Sequence, residues 1–154
     1  MSDNSRFSEF LADENATLDV ARRLASCLRA GLVVYLHGDL GAGKTTLVRG
    51  MLRGLGFDGR VKSPTYTLLE TYALAGLSVC HFDLYRMQDA EEWEAAGFRD
   101  EFNGENVFLI EWPQRAAGQL PAADWEVDLS RDGEGRRLTL TACSELGSVC
   151  LKAL

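Results

Sequence analysis

The stretch from Leu32 to Leu55 constrains everything else in this chain. Leu32-Val33-Val34-Tyr35-Leu36-His37 is an apolar, β-branched run, and Gly38-Asp39-Leu40-Gly41-Ala42-Gly43-Lys44-Thr45 fills the pattern G-x-x-x-x-G-K-[ST]. Thr46-Leu47-Val48-Arg49-Gly50-Met51-Leu52 then continues with helical periodicity. Strand, glycine loop and helix in that order predict a phosphate-binding loop. Glycines let the backbone curl so that successive N–H groups face phosphate oxygens, and the helix beginning near Lys44 adds the partial positive charge of its N-terminus. The nucleotide-binding segment is therefore Asp39, Leu40, Gly41, Ala42, Gly43, Lys44, Thr45 and Thr46, with a nucleotide and Mg²⁺ as the expected ligands. Lys44 reaches the β- and γ-phosphates, and Thr45 offers its hydroxyl to the metal.

The rest of the chain supplies a sheet around that unit. Ser8–Leu11 reads as a short first strand. Asp13 reads as the N-cap of a helix with Leu18, Ala21, Leu24, Ala25 and Leu28 on its apolar face, ended by Gly31. Gly54-Leu55-Gly56 stops the loop helix. Thr67–Leu74 and Leu77–Asp83, joined by Ala75-Gly76, predict an antiparallel hairpin. Asp89 caps a short acidic helix over Ala90–Ala96, closed by Gly97. Val107-Phe108-Leu109-Ile110 is apolar without alternation, as in a strand covered on both faces of a parallel sheet, and Trp112-Pro113 ends it. Trp125–Leu129 and Arg137–Ala142 flank the turn signal Asp132-Gly133-Glu134-Gly135, and a last helix starts at Glu145. The expectation is one α/β domain over residues 1–154, three-layered, with a mixed, mainly parallel central sheet and antiparallel hairpins, at a length ample for a core.

Composition narrows the function classes. No apolar run approaches the ~20 residues of a membrane span. Met1-Ser2-Asp3-Asn4-Ser5-Arg6 lacks the apolar centre of a signal peptide, so the cytoplasm is the expected location. Cys27, Cys80, Cys143 and Cys150 form no C-x-x-C pair and read as free thiols. The formal charge of −7 argues against a protein that grips RNA unaided.

A phosphate loop needs an acid near its metal and a group that orients the attacking water. Glu111 follows four apolar residues at the carboxyl end of a strand, a Walker B arrangement with Glu in place of Asp. Asp83 ends Val79-Cys80-His81-Phe82 in the same way. His81 and His37 read as structural residues of their strands. Ser63-Pro64-Thr65 lies where P-loop proteins place a segment that feels the γ-phosphate, and Thr65 brings a hydroxyl to it. Arg86 either stabilises phosphate charge or pairs with Glu91 and Glu92.

Together these blocks resemble the TsaE (YjeE) family. The resemblance runs through Gly38–Thr46, Lys62-Ser63-Pro64-Thr65-Tyr66-Thr67-Leu68, His81-Phe82-Asp83-Leu84-Tyr85-Arg86 and Leu109-Ile110-Glu111-Trp112, and covers nearly the whole chain. It implies a small ATPase of tRNA threonylcarbamoyladenosine synthesis, a monomer when isolated and slow without partners. Such a protein works with a TsaD–TsaB complex and meets tRNA only through that complex. It further implies that Thr45 and Glu111 hold magnesium, that Asp83 and Thr65 serve hydrolysis alongside Lys44, and that Glu14 and the loop at Arg131 wall the adenine pocket. One departure is Gln114, where relatives often carry Glu. From the residues alone, a small-molecule kinase and a nucleotide-gated scaffold without hydrolysis stand as alternatives, although no basic lid of a kinase stands out.

Overall fold

The apolar run before the glycine loop forms the strand that its β-branched residues favour, and both of its neighbours in the sheet run parallel to it. In a computed structural model, residues 6–39, 41–64, 66–74 and 76–154 are described. In chain order the elements are β1 (Arg6–Leu11), α1 (Glu14–Ala25), β2 (Val33–His37), α2 (Lys44–Gly54), β3 (Leu69–Leu74), β4 (Leu77–Asp83), α3 (Glu91–Ala95), β5 (Asn106–Glu111), β6 (Trp125–Asp132), β7 (Gly135–Ala142) and α4 (Glu145–Leu151). Short 3₁₀ turns at Phe98–Glu101 and Pro113–Ala116 complete them.

Seven strands make one sheet in the order β1-β7-β6-β2-β5-β4-β3. The middle four, β6-β2-β5-β4, are mutually parallel, and the outer pairings are antiparallel. All four parallel strands thus end on the same edge, where the glycine loop begins.

On one face, α1 and α2 bury Val20, Ala21, Leu24, Leu47, Val48, Met51 and Leu52 against Val34, Leu36, Val107, Leu109 and Val127. On the other face, Phe82, Phe108 and Ile110 pack under Trp93, Met87 and Ala116. Phe82 lies 5.1 Å from Trp93 and 5.2 Å from Phe98, centroid to centroid, in tilted and edge-on geometries that aromatic rings favour. β5 is therefore covered on both faces, as its unbroken apolar run predicts.

Several boundaries differ from expectation for local reasons. α1 stops at Ala25 rather than running towards Gly31, with the Ser26 backbone N–H and hydroxyl both bonded to the Arg23 carbonyl. Its buried face is Thr17, Val20, Ala21, Leu24 and Ala25, which keeps Ala21, Leu24 and Ala25 of the expected stripe and adds Thr17 and Val20, with Leu18 only half-buried. β3 begins at Leu69, because Leu68 sits at φ 68°, outside strand geometry. β6 and β7 extend to a two-residue turn, their ladder closing at Asp132 and Gly135.

Candidate functional site

The sheet register builds the site. Leu36 on β2 lies beside Glu111 on β5, and Glu111 lies beside Asp83 on β4. Neighbouring strands are ~4.8 Å apart, so the two acids stand side by side at the carboxyl edge, Glu111 one strand and Asp83 two strands over from β2. His81, two residues back from Asp83, faces the same way, and its Nε2 is 2.6 Å from Glu111 Oε2 with both side chains buried. The His81 Nδ1 has no hydrogen-bond partner among the described residues.

The described glycines of the loop set its backbone. Gly41 and Gly43 adopt φ 81° and 108°, and a Cβ on either would meet open space, so conformation and not crowding selects glycine there. At Gly38 a Cβ would come within 2.8 Å of the Leu129 carbonyl oxygen, which leaves room for no other residue. Among the described residues no side chain caps the first turn of α2, and no acid sits in it, in contrast to α1, where Asp13 accepts the Ala16 N–H. The first turn of α2 thus has the uncapped N-terminal N–H groups and partial positive charge to which anions are attracted.

Lys44 is only 5 % exposed. Its Nζ donates to the Gly38 carbonyl at 2.5 Å and lies 4.1 Å from the centre of the Trp112 ring. Burial lowers its pKa, against the opposing pull of Glu111, Asp83 and Asp39. Asp83 is shifted upward, first by burial and then by Glu111, and held back by the Tyr85 N–H that its Oδ1 accepts at 3.1 Å. A cation and three carboxylates therefore converge where two parallel strands and a helix N-terminus meet. Among the described residues no three His, Cys, Asp or Glu side chains gather into a protein-only metal site. Mg²⁺ bound with phosphates needs only one or two protein oxygens, which Thr45 and Glu111 could supply.

Two cavities flank the loop. One, of about 330 Å³, is bounded by Gly38, Asp39, Lys44, Trp112, Gln114 and the end of β6 at Asp128–Arg131. The other, of about 270 Å³, lies between Leu11–Glu14, the loop residues Gly41–Gly43 with Thr46, and Glu134–Arg136.

A model of the family "Threonylcarbamoyl adenosine biosynthesis protein TsaE" matches residues 11–139. The chain is 45 % identical over 151 residues to the tRNA threonylcarbamoyladenosine biosynthesis protein TsaE of Haemophilus influenzae, covering 95 % of this chain and 96 % of that one. It is 39 % identical over 127 residues to the protein of the same name from Bacillus subtilis, covering 82 % and 79 %. The chain belongs to the TsaE family. The crystal structure of Bacillus subtilis YdiB superposes on it with a TM-score of 0.80 at 30 % identity, over 96 % of this chain and 93 % of the other.

Within this TsaE-family fold, the structure brings together Asp39, Lys44, Asp83 and Glu111. Leu40 and Thr65 lie outside the described residues. Glu14 and Arg131, expected as two walls of one pocket, line different cavities on either side of the loop: Glu14 the smaller and Arg131 the larger. Arg131 is on β6 opposite Arg136 of β7, and it is Arg136 that reaches the Glu14 side. Arg86 makes no ion pair with Glu91 or Glu92 among the described residues; its guanidinium lies 4.8 Å over the exposed Tyr66 ring.

Sequence reasoning missed two residues. His81 is bonded to the acid of the next strand, and the only sequence signal for this is that 79, 81 and 83 share a strand face. Arg136 donates to the carbonyls of Gly41 and Ala42, and nothing in its hairpin setting announces that.

Proposed function

We propose that residues 1–154 act as a single ATPase domain that binds ATP with Mg²⁺, hydrolyses it to ADP and phosphate, and supports threonylcarbamoyl modification of a tRNA adenosine together with a TsaD–TsaB complex. The observation that carries this reading is the buried Lys44 at an uncapped helix N-terminus, facing Glu111 and Asp83 at the carboxyl ends of two adjacent parallel strands. The membership in a family whose curated relatives are named for tRNA threonylcarbamoyladenosine biosynthesis supports the pathway. No helix among the described residues is long and apolar enough to cross a membrane, which is compatible with work in the cytoplasm. We take the isolated chain as a slow monomeric ATPase that meets tRNA only through its partners.

Each residue has a role in this reading. The N–H groups of the loop and Lys44 hold the β- and γ-phosphates. Thr45 and Glu111 hold Mg²⁺, which supplies charge neutralisation at the phosphates. Asp83 orients the attacking water, helped by the hydroxyl of Thr65. The purine occupies the cavity beside Glu14, with Thr46 and Glu134–Arg136 around it, and Arg131 flanks the loop from the other side.

Phosphate release from ATP, measured with and without the TsaD–TsaB pair, tests the assignment. Lys44→Ala should fold and lose hydrolysis by at least about a hundredfold, the scale on which one preorganised transition-state donor counts. Wild-type turnover in a folded Lys44→Ala protein would overturn the reading. A phosphorylated small molecule in place of free phosphate would make the protein a kinase, and ATP left intact under all conditions would make it a scaffold.

A further inference from the structure

Arg136 is the second residue of β7, at the turn end of the β6–β7 hairpin, a part of the chain remote in sequence from the glycine loop. Its Nε donates to the Ala42 carbonyl at 3.2 Å and its Nη2 to the Gly41 carbonyl at 3.3 Å, while Nη1 is bonded to the Gly135 carbonyl at 3.0 Å. The reach depends on close strand packing. Gly135 sits so tightly against β1 that a Cβ there would fall 2.5 Å from the Leu11 carbonyl oxygen, and in the ladder Arg136 pairs with Leu11 on one side and Arg131 on the other.

We infer that Arg136 is a positioning residue for nucleotide binding, a fork that fixes the peptide planes of the glycine loop before phosphate arrives. This inference rests on the nucleotide-binding reading above. In a trans peptide, a carbonyl and the N–H of the following residue point opposite ways. Holding the Gly41 and Ala42 carbonyls towards β7 therefore turns the N–H groups of Ala42 and Gly43 away from β7. The Ala42 N–H is taken inside the loop by the Asp39 carbonyl at 3.0 Å, so the Gly43 N–H, immediately before α2, is the donor that the fork orients. A cation on the carbonyl side also polarises the peptide, which strengthens its N–H as a donor. Gly41 and Gly43 hold positive φ values that leave this segment intrinsically permissive, and a two-pronged external restraint supplies the order that glycine does not. Lysine cannot replace this geometry, since an ammonium has no planar fork.

The test uses the full chain with Arg136→Met, Arg136→Lys and, as control, Arg137→Ala. The control removes the same charge from the neighbouring position, whose side chain faces the other side of the strand and pairs with Asp132 at 3.1 Å. Titration with Mg²⁺ and ADP should show affinity weakened about ten- to a hundredfold by Arg136→Met, as for the loss of charge-assisted hydrogen bonds. Arg136→Lys should lose most of the same affinity, and Arg137→Ala should stay within about twofold, the effect of an exposed charge. KM for ATP should rise while kcat holds within about threefold, because the fork touches the loop and not the reacting phosphate. In the nucleotide-free protein, amide exchange at Ala42, whose N–H the Asp39 carbonyl accepts, should accelerate in Arg136→Met and stay unchanged in Arg137→Ala, a readout that general destabilisation would spread over the whole sheet. Wild-type ADP affinity in Arg136→Met, or full recovery in Arg136→Lys, would overturn the inference. Should Arg136→Met fold poorly, Arg136→Lys decides by itself. A wild-type protein that fails to bind ADP would instead overturn the nucleotide-binding reading.

Discussion

Among the described residues His81 has one hydrogen bond, between its Nε2 and Glu111, in a setting where the imidazole is 1 % exposed. A neighbour that occupies one carboxylate oxygen fixes the rotamer of the acid and directs its other oxygen, and partners of this kind typically change metal affinity or activity 10–100-fold when lost. His81→Leu should therefore raise the Mg²⁺ concentration for half-maximal hydrolysis by about 10–100-fold. His81→Gln keeps an N–H at similar reach and should shift it by less than about tenfold. Magnesium titration of the ATPase rate, with melting temperature followed in parallel, separates this from a packing role, which would lower stability in both variants and leave the magnesium midpoint in place. The sequence placed Asp83 and Glu111 at strand ends because an acid after an apolar run is a local pattern. It could not place His81 against Glu111, since the side-by-side register of β4 and β5 is a tertiary fact. Arg136 was hidden for the same reason: arginine in a hairpin has the local signature of a solvated residue, and its partners lie 94 and 95 positions away.

At the level of elements, the pairing of α1 with α2 sets the position of the loop, because α2 begins at Lys44 itself. The two helices approach through small residues at matching spacing. A Cβ at Gly50 would meet the Ala21 Cβ at 2.5 Å, and one at Gly54 would meet the Ala25 Cβ at 2.7 Å. Glycine within a helix costs about 1 kcal/mol relative to alanine, so Gly50→Ala would stabilise an isolated helix. Here the clash should dominate. Overpacking of this sort costs about 1–3 kcal/mol, and a net loss near 1 kcal/mol corresponds to about 2–4 °C in a protein of this size. Adding Ala21→Gly should recover most of the loss, and thermal melts of both single variants and the pair read the coupling directly. A Gly50→Ala protein that melts above the wild type would mean that the helices can part without penalty. The sequence showed both helices by periodicity, and the parallel strands by their apolar runs. It read Gly50 only as part of a helical pattern, because a contact glycine and a tolerated one look alike until the facing helix is known. The end of α1 at Ala25 was likewise illegible: Ser26 closes the helix through its own backbone and hydroxyl, and the glycine expected to do so comes five residues later.

At the scale of the whole molecule, an acidic protein with a net charge of −7 presents a local surface of aromatic and basic groups beside its glycine loop. Trp112 holds a left-handed backbone at φ 57°, is half-buried, covers Lys44, and lies 5.0 Å from the Tyr85 ring, which in turn sits 5.7 Å below the Arg115 guanidinium. Tyr66, 83 % exposed, lies beneath Arg86. Non-glycine residues at positive φ are sparse and concentrate at sites that move or bind. The described residues hold two, Leu68 and Trp112, at the end of the Ser63–Leu68 segment and directly after Glu111. The ammonium that Trp112 covers is the one that, on the proposed reading, phosphate would draw away, and the state of the nucleotide would then reach this ring through Lys44. A ring used only as core packing would lose about 3–5 kcal/mol of stability on truncation, but Trp112 is only partly buried against the cluster of Phe82 and Ile110 and also touches Lys44 and Tyr85. Trp112→Ala should accordingly melt within a few degrees of the wild type, about what partial exposure allows. It should bind ATP, and it should lose nucleotide-dependent association with a TsaD–TsaB pair. Pull-down in ADP and in a non-hydrolysable ATP analogue, beside a melting curve, measures all three. A large drop in melting temperature would assign Trp112 to the core. Equal capture of the wild type in both nucleotide states would end the idea that this surface reports the nucleotide to a partner, since a ligand shifts an equilibrium only by as much as it distinguishes the two states.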